Sequence, residues 1–318
     1  MVNLDFKIAF REVFCPLCGS KSNKTILTAK DHDCGIPGLF TISRCNECGM
    51  CYLNPQPTFE DIHKVYPRVY ADKYMKELPY RLFNKRIKLL KSLLPDGRLL
   101  EIGCAAGHFL NIARASGYEV SGVEIDNELG GYARKHYNLD VQISPIEMAD
   151  LPDSYFNIVT LFKVFEHLTE PMASLNKIKQ TLAPGGYCII QVPNFSCLES
   201  KLLGRYWCYL DSPRHLSHFS PDTLTNMLIK AGFLSIRILH YSEPSGFHIS
   251  IIKWFIDILG KKSGRAMATQ TGNISYAYKN LKLKKFIYKD LSLIWRIPNR
   301  ILTYLGQGNV LLAIAQRP

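Results

Sequence analysis

The chain has 318 residues, 47% of them hydrophobic and 21% charged, a composition that describes a soluble globular protein. No run of about 18 or more uncharged apolar residues occurs, so we expect no membrane-spanning helix. The first residues lack a continuous apolar core, so we expect no signal peptide. Ten cysteines without such a signal predict a cytoplasmic location, with thiols used as metal ligands or buried apolar groups.

The net charge of +12 is concentrated near one end of the chain. From Ser250 onward there are twelve Lys and Arg against two acids, which gives +10. The remaining 27 Lys and Arg against 25 acids give +2. If these basic residues bind an anionic surface, we therefore expect that surface to contact the C-terminal fifth of the chain.

Two C-x-x-C-G motifs, at residues 15–19 and 45–49, predict a metal site. Each motif lets two thiolates reach one ion while its glycine allows the backbone to turn, and four thiolates form a closed tetrahedral zinc site. Because four sulfurs leave no open position, the metal is expected to be structural. The alternatives are a site that has lost its metal and a redox pair. The predicted ligands are Cys15, Cys18, Cys45 and Cys48.

A short apolar strand, a glycine turn and a helix follow one another between Leu99 and Leu110. Such a turn directs several backbone N–H groups at one point, where a carboxylate or phosphate can bind. A dinucleotide site prefers G-x-G-x-x-G, but Ala105 occupies the second glycine position. A second strand, Tyr118 to Glu124, ends in an acid, which in nucleotide-binding folds accepts hydrogen bonds from both ribose hydroxyls.

Further strands are predicted at 140–143, 187–192, 233–241 and 309–316, and another in the stretch that begins at Asp153, with helices between them. A helix over 80–94 is predicted ahead of the glycine turn. Strands that alternate with helices in this way require a parallel sheet with right-handed crossovers. The predicted fold class is therefore α/β, with a doubly wound sheet.

The segment Glu101 to Gly107, E-x-G-C-x-x-G, resembles motif I of the class I S-adenosylmethionine (SAM) methyltransferases, although Ala105 stands where that family usually has another glycine. The segment from Asp153 to Pro171, with Glu166-His167, is also similar to this family. Residues 204–221 resemble the W-x(5)-P-x-H element of bacterial methyltransferases that carry N-terminal zinc knuckles. The resemblance covers about residues 14–240 and the last strand, and it implies a seven-stranded Rossmann-like sheet with SAM as cofactor.

The resemblance also implies which residues bind SAM and which carry out the chemistry. Glu101 and the Gly103 backbone are expected to hold the methionine ammonium group, Glu124 the ribose, Ile125 the adenine face and Ser144 or Glu147 the adenine amino group. The full set of predicted cofactor residues is Glu101, Gly103, Cys104, Ala105, Gly107, Glu124, Ile125, Ser144 and Phe162. An oxygen acceptor needs a base poised near neutral pH. His215 is our first choice, followed by His218 and His167, and the alternative is that His215 only orients its loop.

The C-terminal segment contains apolar rows flanked by Lys and Arg, one over 251–259 and another over 287–295. Two interpretations remain open: helices in an anionic membrane interface, and a helical cap or dimer surface. The predicted domains are a zinc module at 1–75, a SAM-binding core at 76–245, a basic helical insertion at 246–306 and a final core strand at 307–318. Residues 204–221 are expected to form a loop at the carboxyl edge of the core sheet.

The leading functional hypothesis is an enzyme that methylates a small hydroxylated acceptor, such as a sugar or a lipid-linked glycan, at the inner membrane face. A second hypothesis is RNA methylation, since a zinc module with a basic surface also suits nucleic acid. Against RNA, residues 161–164 lack the Asp-Pro-Pro-aromatic motif of base amino methylators, and the basic residues alternate with bulky aliphatics. A third is a scaffold without activity, which the intact motifs disfavour. The sequence leaves open the acceptor, the methylated atom and the oligomeric state.

Overall fold

The structure is a computed structural model that describes residues 8–68, 74–75, 83–243, 245–262 and 296–318. Three predicted features lie partly or wholly outside the described residues: the start of the helix over 80–94, the apolar row over 287–295, and most of a linker predicted over 261–279. The chain divides into two compact units. The first comprises residues 1–66, 193–223 and 239–311, and the second comprises 67–192, 224–238 and 312–318.

The secondary structure elements are numbered here in chain order. The strands are β1 (Phe10–Arg11), β2 (Asn23–Ala29), β3 (Phe40–Cys45), β4 (Cys51–Leu53), β5 (Gln56–Pro57), β6 (Gly97–Ile102), β7 (Tyr118–Glu124), β8 (Asp140–Ile143), β9 (Phe156–Phe162), β10 (Leu182–Pro193), β11 (Ser217–His218), β12 (Leu234–Tyr241) and β13 (Val310–Gln316). The α-helices are α1 (Asn84–Leu93), α2 (His108–Ala115), α3 (Asn127–Tyr137), α4 (Pro171–Thr181), α5 (Leu198–Leu203), α6 (Pro221–Lys230), α7 (Ser245–Lys262) and α8 (Arg296–Tyr304). Short 3-10 helices span Ile62–Val65, Ile146–Met148, Phe165–His167, Gly204–Tyr206 and Cys208–Leu210.

The second unit is built on a seven-stranded sheet in the order β12-β13-β10-β9-β6-β7-β8. The ladders β10·β9, β9·β6, β6·β7 and β7·β8 are all parallel. Parallel strands are buried on both faces, and β9 accordingly has five consecutive buried residues at its end. The predicted doubly wound α/β fold is confirmed, and the last strand lies between β10 and β12.

The first unit contains a four-stranded sheet, in the order β11-β4-β3-β2, and the separate antiparallel pair β1·β5. All three ladders of the larger sheet are antiparallel. Its core includes Ile42, Leu53 and Trp207, each at most 1% exposed. Trp207 from the 204–221 stretch thus packs with residues of the N-terminal segment.

The two compact units do not follow the predicted boundaries at 75 and 245. Residues 193–223, assigned in the prediction to the SAM-binding core, cluster with the N-terminal segment. Ser217 and His218 form β11, which pairs with Tyr52 and Cys51 of β4. This strand pairing joins residues far apart in sequence within the first unit.

Helix α7 is oriented differently from the prediction, which treated its polar residues as interruptions of an apolar face. Ser250 and Lys253 are buried, at 0% and 3% exposure, whereas Trp254 and Phe255 are 42% and 53% exposed. Lys253 Nζ lies 2.6 Å from Asp33 Oδ2, and the Tyr206 hydroxyl donates to Asp257 over 2.7 Å. The helix therefore packs within its unit through polar side chains. None of the helices in the described ranges has both the length and the hydropathy needed to cross a bilayer.

Candidate active site

The turn that follows β6 depends on two glycines with positive φ. Gly103 has φ +67°, and a Cβ there would overlap the side chain of Val164. Gly107 has φ +77° and lies against Ala133 and Leu139, where a Cβ would also overlap. Only glycine fits both the backbone conformation and the space. The turn leads directly into α2, so backbone N–H groups at its start are available to an anion.

Glu101, near the end of β6, is a buried acid with one carboxylate oxygen that is not hydrogen-bonded within the described residues. It is 4% exposed, and its Oε2 has no hydrogen-bond partner among the described residues. Burial raises the pKa of Glu101 to about 8, against the opposing effect of Arg86. An unsatisfied buried carboxyl is costly unless a ligand completes it, and the ammonium group of a bound amino acid is such a ligand.

Glu124, at the end of β7, is 7% exposed and holds the glycine turn through its carboxylate. Oε2 accepts the N–H of Ala105 at 2.7 Å, and Oε1 accepts the N–H of Asp126 at 2.9 Å. Burial raises the pKa of Glu124, and these N–H groups oppose the shift. The adjacent Ile125 is 62% exposed, an unusual environment for an isoleucine and one that suits contact with a planar ligand.

The turn after β8 contains both residues that the sequence offered for the adenine amino group. The Ser174 hydroxyl donates a hydrogen bond to Glu147 Oε1. Ser144 Oγ is buried and has no hydrogen-bond partner within the described part of the chain. Met148, which the sequence analysis missed, is 74% exposed in the same turn. The signal available in the sequence was an apolar residue in the turn that follows β8 and contains Ser144.

Cys104 and Phe162, two predicted cofactor residues, have side chains in the core. Cys104 is 5% exposed, and its Sγ lies against Gly122, where a Cβ would come within 2.8 Å. Phe162 packs edge-on against Phe109, with ring centroids 5.3 Å apart, and the Arg86 guanidinium lies 4.0 Å above its ring. Any contact of Cys104 with a cofactor would therefore be made by its backbone.

His108, at the start of α2, is a residue that the sequence analysis missed. Its Nε2 lies 2.9 Å from the carbonyl oxygen of Tyr74, and its Nδ1 lies 2.9 Å from the Tyr137 hydroxyl. A carbonyl only accepts, so Nε2 carries the proton and Nδ1 accepts from Tyr137. His108 thus ties residue 74 to the helix that follows the glycine turn.

The four predicted metal ligands lie together in the first unit. Their sulfur atoms are all within 4.8 Å of one another, and two pairs are 3.4 Å and 3.5 Å apart. Zn–S bonds of about 2.3 Å in a tetrahedron imply S–S separations of about 3.8 Å, so the cluster has the size of a zinc site.

The two motifs that carry these cysteines share one backbone pattern. Gly19 N–H donates to Cys15 O at 2.8 Å, and Gly49 N–H donates to Cys45 O at 3.1 Å. Both glycines have positive φ, +81° and +75°. The repeated turn brings each pair of thiols to the same side, as a shared ion requires.

His215 is buried in the first unit, and its ring orientation is fixed by its surroundings. Its Nδ1 lies 2.8 Å from the carbonyl oxygen of Tyr209, and its Nε2 lies 3.7 Å from Asp211 Oδ2. Because the carbonyl can only accept, Nδ1 carries a proton and donates it to Tyr209. Nε2 is then the nitrogen beside the Asp211 carboxylate, where a positive charge on the ring is stabilised.

The other two predicted histidines are in different environments. His218 is 4% exposed, and burial lowers its pKa to about 3, so it is a poor proton acceptor near neutral pH. The ring centroids of His215 and His218 are 6.5 Å apart. His167 belongs to the second unit and ends the 3-10 helix Phe165–His167.

Arg214, which the prediction did not assign, is the centre of a buried ion network. It is 0% exposed and binds Asp31 through two nitrogens, at 2.7 and 2.8 Å. Its Nε also donates to Asp211 at 2.9 Å. Burial alone would raise the pKa of Asp211, but Arg214 and His215 hold it well below its usual range. Arg214 therefore fixes the carboxylate that lies beside His215.

The sheet order, the glycine turn and the buried acids at the strand ends define a SAM-dependent methyltransferase. The profile of a family described as "Methyltransferase domain" matches residues 74–236, just over half of the 318 residues, so the chain belongs to that family. The matched range begins after the cysteine cluster and does not test it.

Individual relatives are distant. The chain is 26% identical over 199 residues to a ubiquinone biosynthesis O-methyltransferase of Bradyrhizobium sp. (strain ORS 278), covering 59% of this chain and 77% of that protein. It is 25% identical over 214 residues to the protein of the same name from Idiomarina loihiensis, covering 63% and 82%. Among solved structures, Haemonchus contortus phosphoethanolamine N-methyltransferase 2 superposes with a TM-score of 0.51 at 15% identity, over 98% of this chain and 72% of that one. This last similarity concerns the fold.

Proposed function

We propose that this methyltransferase transfers the methyl group of SAM to a hydroxyl oxygen of a small acceptor, such as a sugar or a lipid-linked glycan. The observation that carries the proposal is the fixed ring of His215, whose Nδ1–H donates to the Tyr209 carbonyl while Nε2 lies beside the Asp211 carboxylate. The names of the two O-methyltransferase relatives agree with an oxygen acceptor. A neutral amine acceptor already has a lone pair and would not need a base before it attacks the methyl group.

In the proposed SAM site, Glu101 and the Gly103 backbone bind the methionine ammonium group, and the start of α2 after Gly107 favours its carboxylate. Glu124 binds the ribose hydroxyls, and Ser144 binds the adenine amino group. Ile125 and Met148 supply apolar contact to the adenine. The support for these roles is the unpartnered Glu101 Oε2 and Ser144 Oγ, together with the exposure of the two apolar side chains.

The proposed chemistry assigns one proton transfer to the protein. When bound, SAM supplies a methyl group on a positively charged sulfur, and its transfer breaks the carbon–sulfur bond with the electron pair remaining on sulfur. His215 Nε2 accepts the proton of the acceptor hydroxyl as the oxygen–carbon bond forms. Tyr209 holds the ring through Nδ1–H, and Asp211, 3.7 Å from Nε2, stabilises the imidazolium that results.

The proposal is tested with His215→Ala and a matched control, His63→Ala, which changes an exposed histidine. SAM binding is measured by calorimetry, and SAM consumption is screened over sugars, nucleotide sugars and lipid-linked acceptors. We expect His215→Ala to lower kcat by about 100-fold or more while the Kd for SAM stays unchanged. Loss of SAM binding in that variant, or methyl incorporation into RNA with none into small acceptors, would overturn the proposal.

Two further features are proposed as part of this function. Cys15, Cys18, Cys45 and Cys48 hold a structural Zn²⁺ that stabilises the first unit. The exposed pair Trp254 and Phe255, with the +10 charge of the C-terminal fifth, binds an anionic membrane surface on which a lipid-linked acceptor would be available.

A further inference from the structure

The first unit contains a cavity of about 290 Å³ that the proposed methyl transfer does not use. All of its lining belongs to that unit. The volume is just below the range of about 300–1,000 Å³ typical of ligand sites.

The charges in this lining have one sign. Arg44 and Lys201 contribute two cations, and no carboxylate is present in the lining. The Arg44 Nε donates to Cys51 Sγ over 3.5 Å, which is a weak bond to a neutral group. Within the described residues neither Arg44 nor Lys201 has a carboxylate partner. Two unpaired cations at one cavity match a dianion such as a phosphate monoester.

An independent observation comes from the buried side of the cavity. His218, which also lines it, is 4% exposed, and its Nε2 has no hydrogen-bond partner among the residues the structure describes. Buried polar groups are normally satisfied, so an unpaired nitrogen on a residue that lines a cavity points to a ligand group that completes it once the ring turns toward the cavity. Ser200, 6% exposed, adds a hydroxyl to the same lining.

The remaining lining is apolar and suits the non-ionic part of a small ligand. Ile26, Leu27 and Phe195 supply apolar surface, and the Phe195 ring lies 5.1 Å from the His218 ring, centroid to centroid. Pockets of this kind combine apolar walls with a few polar groups that fix orientation.

We propose that this cavity binds a small phosphate ester, with Arg44 and Lys201 on the phosphate and His218 donating or accepting a hydrogen bond at its buried end. The site is assigned on its own lining and goes beyond the proposed function, because it would bind its ligand whether or not that ligand receives a methyl group. It also gives His218 a binding role in place of the predicted catalytic one.

The experiment measures binding to the full chain by calorimetry with four probes: a hexose 1-phosphate, inorganic phosphate, a hexuronate and the neutral hexose. We expect the hexose 1-phosphate to bind best and the neutral hexose not to bind. Arg44→Gln and Lys201→Gln should each weaken binding of the phosphate ester about tenfold. Arg237→Gln, which removes one exposed charge from β12, is the matched control and should have no effect.

Several outcomes would overturn the inference: no binding of either phosphate probe, equal binding of the hexuronate or the neutral hexose, or the same weakening in Arg237→Gln as in the two cavity variants. SAM binding measured on the same preparations separates this result from the proposed function. A chain that binds SAM but not the phosphate ester would refute the cavity alone. His218→Asn gives a second readout, with weaker ester binding expected at unchanged thermal stability.

Discussion

At the scale of single residues, Glu101 is an acid whose ionised form is disfavoured by burial. Glu101 is ordinary in sequence, one glutamate in a strand, and its chemistry arises because β6 lies between β7 and β9 in the sheet. The position of Glu101 in the glycine-turn motif predicted its role in binding the cofactor only as a hypothesis. The raised pKa and the unpartnered oxygen come from the surrounding core, which no local pattern encodes.

Glu101→Gln is expected to separate stability from cofactor binding. Burial raises the pKa of Glu101 from 4.5 to about 8, so without SAM the folded chain retains a proton that the unfolded chain has lost. The stability that the protonated Glu101 side chain contributes to the folded state is fully present below about pH 4.5 and is lost as the pH rises through about 8. Glu101→Gln should remove this decline and raise the unfolding free energy near pH 8 by a few kcal/mol at most, on the order of the shift.

Urea unfolding at a series of pH values checks this expectation, with the Kd for SAM measured beside it. The Kd should rise because the amide cannot neutralise the methionine ammonium group. Identical pH slopes in the variant and the parent, or unchanged SAM affinity, would contradict it. Glu119→Gln, at the exposed start of β7, is the control.

Ala105 is a second residue of interest, because its backbone conformation is unfavourable for a residue that has a side chain. Its φ is +48°, a left-handed conformation that costs an L-residue roughly 1–2 kcal/mol. Ala105→Gly should relieve this strain, offset in part by the greater freedom of glycine in the unfolded chain, for a net gain of about 0.5–1 kcal/mol. Ala105→Val should destabilise. Thermal unfolding of the three chains tests the order Gly, Ala, Val, and a valine variant as stable as the parent would refute the argument.

At the scale of elements, α7 is the clearest departure from the sequence prediction. An apolar row with Lys and Asp between its members normally indicates that the row is buried. Here Lys253 and Ser250 are buried because Asp33, the Cys208 carbonyl and the Cys208 N–H supply polar partners. Trp254 and Phe255 are left exposed, with ring centroids 5.2 Å apart.

The exposed pair on α7 gives a direct test of membrane association. The chain should float with anionic phosphatidylglycerol vesicles and not with neutral phosphatidylcholine vesicles, since apolar contact and basic charge act together. Trp254→Ala with Phe255→Ala should reduce flotation, whereas Ile229→Ala, at an exposed apolar position on α6, should not. If the double variant instead abolishes a concentration-dependent dimer and leaves flotation unchanged, the face binds a second copy and the membrane proposal is wrong.

At the scale of the whole molecule, the first unit depends on interactions between segments distant in sequence. Arg214 and Asp31 are 183 residues apart and form a fully buried pair. Removing one partner from such a pair is far more costly than its net contribution, because an unpaired charge stays buried. The cysteine cluster ties residues 15–18 to residues 45–48 in the same unit.

Zinc removal should therefore destabilise the first unit. The purified chain is expected to contain about one zinc per molecule, and a chelator should lower its melting temperature and accelerate amide exchange in β2, β3 and β4. Cys48→Ser should reproduce the loss, whereas Cys34→Ser, a thiol outside the cluster, should retain the metal. A chain that lacks zinc as purified yet has the stability and exchange pattern of the zinc-loaded chain would contradict the structural role.

The sequence by itself determined the strands of the seven-stranded sheet, the glycine turn and the class of enzyme. The reason is that these depend on local signals: short apolar runs such as 140–143, glycines that permit positive φ, and acids placed at strand ends. The cysteine turns could be predicted from the sequence for the same reason, since each C-x-x-C-G turn is formed by neighbouring residues.

Only the tertiary structure decided which elements belong together. The pairing of Ser217 and His218 with β4, the burial of Lys253, the Arg214 network and the cavity beside His218 all join residues from distant parts of the chain. Such contacts depend on packing and on charge compensation across the fold, and a linear pattern of hydrophobicity contains neither. The sequence thus identified the methyl donor, whereas the environments of His215, His218 and Ser144 came from the folded chain.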